Sequence, residues 1–132
     1  TYSATAASIF LAKVLTQDQK DWIQAEPFVR AAYVKYPENY HHGRYMILLA
    51  QGMGLQSIKG RELLETICAQ WDKGYRPPEG AAYPLEPARL ELARFYLASQ
   101  DSDQARKHLT VLKDSKRRET AIQASDLLHS LK

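Results

Sequence analysis

The chain has 132 residues, 45% hydrophobic and 25% charged, with a formal net charge of +3, the composition of one globular domain that buries about two-thirds of its unfolded surface. A single cysteine, Cys68, excludes an internal disulfide framework and a cysteine-only zinc site, and the plentiful apolar residues exclude disorder. No apolar run approaches the roughly 20 residues of a membrane-crossing helix.

The chain opens TYSATAASIFLAKVL, with no basic segment ahead of its small and apolar residues. It therefore reads as a first amphipathic helix and not as a targeting segment. Because position 1 is Thr, the chain is expected to be processed or cut from a longer protein. A break near Thr16–Gln19 leads to a second helix with the stripe Ala25, Phe28, Val29, Ala32, Tyr33 and Tyr36, capped by Thr16 or Asp18 and stopped by Pro37. A third helix starts at His41 and His42 and ends at Gly52 and Gly54, which adopt left-handed conformations cheaply. Ser57 caps a fourth, with the stripe Leu63, Leu64, Ile67, Cys68 and Trp71. The stretch GYRPPEGAAYP is the one long connector, since Pro77, Pro78, Gly80 and Pro84 forbid helix there.

After it, Leu85, Ala88, Leu92, Phe95 and Tyr96 repeat the helical spacing, followed by a break at Gln100–Asp103. Asp101 with Gln104 three residues on is a variant capping box for a sixth helix carrying Ala105, Leu109 and Leu112. Past Asp114–Arg118 a last helix, Arg117 to Leu131, carries Ile122, Ser125, Leu128 and Leu131. No segment alternates with period two and no hairpin dipeptide occurs, so the chain is predicted all-α with about seven helices.

Leu92, Ala93 and Tyr96, then Ala105, Leu109 and Leu112 at spacings of nine, four and three, are similar to the tetratricopeptide repeat, W-x2-L-G-x2-Y-x8-A-x3-F-x2-A-x4-P. Ala25, Val29, Ala32 and Pro37 match the second half of another copy, whose first helix is a poor match. Gly60, Leu64 and Ile67, with Ile47, Leu48 and Gln51 upstream, form a third in which Asp72 stands where Pro is expected. The resemblance implies units near 6–39, 41–74 and 86–118 within a single domain 1–132, sealed by a capping helix over 118–131. It implies antiparallel helix-turn-helix pairs stacked as a short right-handed α-solenoid, with Ala93 and Ala105 as close contact points.

Active-site elements are weak. His41 and His42 are adjacent, so on a helix they point about 100° apart and cannot share a metal; they read as surface residues at a helix start. His108 and His129 have no carboxylate at a relay spacing, and Cys68 lies in an apolar stripe as a buried filler. Neither Asp72 with Glu79 nor Glu62 with Glu65 is set across a cleft by any pattern, and Gly52-Met53-Gly54 is too short for a phosphate cradle. No catalytic residue, cofactor or metal site is expected.

Charge is even along the chain, with seven basic against six acidic residues in 1–66 and eleven against nine in 67–132. The pI near 9.0 therefore reflects a small excess, and Lys113, Lys116, Arg117 and Arg118 read as a solvated helix junction that complements the sixth helix's dipole. That weighs against nucleic acid, which calls for more charge with interleaved aromatics. A free thiol suits a reducing compartment, favouring cytoplasm over periplasm.

The resemblance implies that the first helix of each pair lines a concave groove for a protein or peptide segment. By position this groove displays Phe10, Val14 and Gln17, then His42, Tyr45, Leu49 and Met53, then Leu90, Arg94 and Leu97. Chaperone-binding members hold a C-terminal carboxylate with Lys and Asn; Phe10 and Val14 occupy the first-unit places here, so that clamp is not expected. The function expected is a non-catalytic protein-interaction scaffold with an unidentified protein or peptide partner. The alternatives are a nucleic-acid-binding helical repeat and a self-association module that forms homo-oligomers.

Overall fold

The computed structural model describes residues 11–18, 21–35, 40–73 and 85–131. The elements are α1 (Val14–Asp18), α2 (Trp22–Lys35), α3 (Tyr40–Met53), α4 (Ile58–Asp72), α5 (Leu85–Ala98), α6 (Ser102–Leu112) and α7 (Arg118–Ser130). No strand occurs among the described residues, so the all-α expectation and the seven helices hold. Expectations placed on Phe10, on Pro37 and on the connector at 74–84 lie outside the described residues.

Local chemistry explains the helix ends. α1 is a π-helical turn that continues an α-helical turn at 11–13. Thr16 does not cap the next helix; its hydroxyl is buried and donates to the Ala12 carbonyl at 2.6 Å, a bond back along its own helix. The cap of α2 is Asp21, whose carboxylate accepts from the Gln24 N–H at 3.1 Å. Pro27 stands inside α2, where it removes one N–H and frees the carbonyl of Ile23, a residue 79% exposed and so open to water. Ser57 caps α4 as expected, accepting from the Gly60 N–H at 3.0 Å, and Asp101 caps α6 by accepting from the Gln104 N–H at 3.2 Å.

Gly54 follows α3 with φ +93, whereas Gly52 lies within the helix. Its missing side chain answers a close approach: a Cβ there would fall within the Trp22 indole, 2.7 Å from Cζ2 and closer still to two other ring atoms. The α5–α6 turn uses no glycine. Gln100 takes φ 63, while Asp101 N donates to Tyr96 O at 2.8 Å and Gln100 N to Leu97 O at 3.1 Å. Those two bonds define a Schellman end.

The substantial packing joins each helix to the next in sequence, most extensively α5 to α6; beyond neighbours it joins α3 to α1 and α3 to α5. One core runs from Ala12 and Leu15 through Val29, Met46, Leu49, Leu63, Leu64 and Ile67 to Leu92, Phe95 and Ala105. A second, of Leu90, Ala93, Leu109, Leu112 and Ala124, is closed by Leu127, Leu128 and Leu131 of α7. α5 feeds both, which is why it is buried on more than one face, from Leu85 to Tyr96. Ala93 and Ala105 are fully buried where α5 meets α6, and Gly60 is the close contact of α4, since a Cβ there would stand 3.1 Å from the Phe95 ring and 3.2 Å from Ala50 O.

Three expectations about faces are corrected. Phe28 is 50% exposed, since Ala25, Val29, Ala32 and Tyr33 already fill the inner face of α2. Ile122 is also exposed; α7 packs through Ala124, Leu127, Leu128 and Leu131 instead. His42 is only 1% exposed and belongs to the interior of α3, not to a solvated helix start.

Candidate functional site

The structure divides nine of the ten expected groove residues; Phe10 lies outside the described residues. His42, Tyr45, Leu49 and Leu90 are buried, and Tyr45 and Leu49 are members of the first core. Met53 and Leu97 are half-buried and pack against that core. Val14 is half-buried, Gln17 is exposed, and Arg94 is half-exposed and paired with Glu91 one turn back. Among the described members the solvent-facing part of the set is thus Gln17 and Arg94, with Val14, Met53 and Leu97 contributing edges.

Apolar surface gathers elsewhere, at the turn between α3 and α4. A cleft of about 580 Å³ opens there between Trp22 and Ile23 at the start of α2, Gly52 and Met53 at the end of α3, and Ile58 and Lys59 at the start of α4. A second cleft, of about 230 Å³, shares Gln56, Ser57 and Ile58 with it and is otherwise walled by Leu55, Arg61, Phe95 and Ser99. Met53 is the member of the expected set that lines this surface. Gly52 lets the indole lie against α3, which makes the larger wall aromatic. Ile23 and Ile58 are 79% and 62% exposed, and among the described residues neither cleft is lined by a carboxylate.

A polar cluster that sequence reasoning missed sits between α4, α5 and α6. Arg89 is only 7% exposed. Its Nη1 lies 3.1 Å from His108 Nδ1, and its Nη2 lies 3.6 Å from Asp72 Oδ1. A guanidinium can only donate, so Nδ1 accepts and the imidazole is neutral with its proton on Nε2. Burial, and then the Arg89 charge, lower the His108 pKa to about 4. The imidazole stacks on Tyr96, with ring centroids 5.8 Å apart. Tyr96 in turn donates its hydroxyl to Glu65 at 2.9 Å, and burial together with that bond pushes it up to about 12. Beside them Cys68 is buried, and desolvation raises its thiol to about 11 against the opposing pull of Arg89. At neutral pH it is protonated, the reverse of an activated nucleophile.

Among the described residues no group of three or more His, Cys, Asp or Glu stands where it could hold a metal ion. Nor is any described helix long and apolar enough to cross a membrane.

Two signals were available. Arg89 stands three residues before Leu92, where the repeat pattern places a large buried Trp, so burial there was foreseeable although the charge was not. Ile23 and Ile58 interrupt otherwise polar faces, with Glu26 and Arg30 following one and Arg61, Glu62 and Glu65 the other at helical spacing. Comparison of the chain with protein-family models, with curated proteins and with solved structures gave no match.

Proposed function

We propose that the chain is a tetratricopeptide-like array of antiparallel helical hairpins that acts as a non-catalytic scaffold for docking a protein or peptide segment. The architecture is supported by packing that runs from each helix to the next and, beyond neighbours, joins α1, α3 and α5, the first helices of the three units, in series. A non-catalytic role is supported by the state of the two groups best suited to chemistry: Cys68 holds its proton and His108 is committed to Arg89.

The observation that carries the docking reading is the open apolar surface at the α3–α4 turn, where Trp22, Ile23, Met53 and Ile58 line one cleft. Contiguous exposed apolar surface of this kind marks interaction sites more than isolated exposed side chains do. Docking therefore centres on the hairpin ends beside Met53, with Gln17 and Arg94 as the accessible members of the concave set.

The test is selection of a displayed random-peptide library on the wild type and on Ile23→Ser/Ile58→Ser. Both side chains are exposed, so the double variant is expected to melt like the wild type and to retain no peptide that the wild type enriches. Equal retention by the two proteins removes this surface from the reading. Tyr45→Ala is unsuited as a groove probe, because Tyr45 is 4% exposed and its loss leaves a cavity in the core; Arg94→Ala probes the concave face, with a melt as control because it unpairs the mostly buried Glu91.

A further inference from the structure

We infer, resting on the docking reading above, that the segment received at the α3–α4 turn carries an acidic side chain beside a bulky apolar one. The apolar group enters the larger cleft against Trp22, Met53 and Ile58, and the carboxylate faces Arg61 and Lys59. Three observations combine. The larger cleft is mostly apolar and the smaller mixes Leu55, Ile58 and Phe95 with polar side chains; they share the Gln56–Ile58 rim and therefore form one continuous surface. Among the described residues each has one cation in its wall, Lys59 in the larger and Arg61 in the smaller, and neither has an acid.

The third observation concerns Glu65, the acid paired with Arg61. It comes within 3.4 Å of Arg61 Nε without hydrogen-bonding geometry, and is itself held by the Tyr96 hydroxyl at 2.9 Å. Arg61 also lies over the Tyr96 ring, 5.7 Å from its centroid, so its guanidinium is fixed rather than trailing in solvent. A planar, positioned guanidinium at an apolar wall suits a carboxylate, since desolvated walls weaken screening and the fork geometry matches two oxygens. A nucleic-acid backbone would use the cations and leave the indole-walled cleft empty, whereas an acidic–apolar segment uses both.

The probe is a library of nine-residue peptides, acetylated and amidated so that no terminal charge contributes, with all positions randomised. The wild type is expected to enrich a bulky apolar residue with Asp or Glu within two residues of it. Arg61→Gln, and independently the exposed Lys59→Gln, each reduce that acidic preference about two- to fivefold while keeping the apolar requirement. Ile58→Ser loses both, and thermal melting checks that each variant is folded. Apolar enrichment without acids, or with basic residues, overturns the inference and leaves the docking reading standing; no retained peptide on the wild type overturns both. Competition by a single-stranded oligonucleotide, or a dimer whose formation with concentration blocks retention, overturns it as well.

Discussion

Replacing Gly52 by Ala isolates the contact that shapes the larger cleft. In an exposed helix interior this change should stabilise by about 1 kcal/mol, because Ala restricts the unfolded chain and Gly does not. Here the added Cβ would fall inside the Trp22 indole, 2.7 Å from Cζ2, so the ring must leave α3. Trp22 is half-buried and packs against the first core; losing that burial costs about 2 kcal/mol. The net expectation is destabilisation by about 1 kcal/mol. In a Trp22→Ala background the obstacle is gone, and the same substitution should stabilise by about 1 kcal/mol, a coupling of about 2 kcal/mol across the cycle. Urea denaturation of the four proteins, followed by circular dichroism, measures it. If Gly52→Ala stabilises the wild-type protein, or shifts both backgrounds equally, the indole does not rest on Gly52 and the aromatic wall of the cleft is gone.

Leu109→Ala, at a fully buried site in the second core, should cost about 2–5 kcal/mol; a melt like that of the wild type would deny the α5–α6 packing. Gln100→Gly should stabilise by about 0.5–1 kcal/mol by relieving φ 63, and a destabilised variant would mean Gln100 has a role beyond the turn. Cys68, buried and held as a thiol up to about pH 11, should resist thiol reagents at pH 8 until urea unfolds the chain. Immediate labelling of the native protein would refute its placement. The His108 pKa of about 4, against 6.5 for a free imidazole, means the fold prefers the neutral ring. Its stabilisation is complete above pH 6.5 and is lost as pH falls from 6.5 towards 4, by up to about 3 kcal/mol. His108→Gln should flatten that part of the curve relative to the wild type, and parallel curves would contradict it.

Helix content was legible because each core stripe has one period and one side. Ala25, Val29 and Ala32, Leu63, Leu64 and Ile67, and Leu109 and Leu112 all lie where spacing puts them. The caps at Ser57 and Asp101 were legible for the same local reason. The α2 cap was not, because Thr16, Asp18 and Asp21 all have suitable oxygens and only the path of α1 selects among them. His42 shows a different limit. Polarity suggests a surface, but the interior of a three-helix contact also takes polar groups, and two helices flank α3 in sequence while a third, α5, lies beyond. The groove residues were placed by pattern position alone, which fixes the face of a helix but not whether a neighbour covers it. For Tyr45, Leu49 and Leu90 a neighbour does.

The turn that carries Gly60 links the two polar features. With no side chain at Gly60, Phe95 and the Ala50 carbonyl can close on α4, and the next residue, Arg61, reaches the smaller cleft. One turn further, Glu65 accepts from Tyr96 of α5, Tyr96 stacks on His108 of α6, and His108 accepts from Arg89. Hydrogen bonds joined by one ring stack therefore run from α4 to α6 and tie three helices together, while Lys59 and Ile58 at the cleft take no part in them. A substitution at Glu65 or Arg89 should accordingly change stability first and binding only through it. One at Lys59, Ile23 or Ile58 should change binding with stability untouched. Arg61 belongs to both sets, which is why Lys59→Gln, and not Arg61→Gln alone, separates recognition from folding.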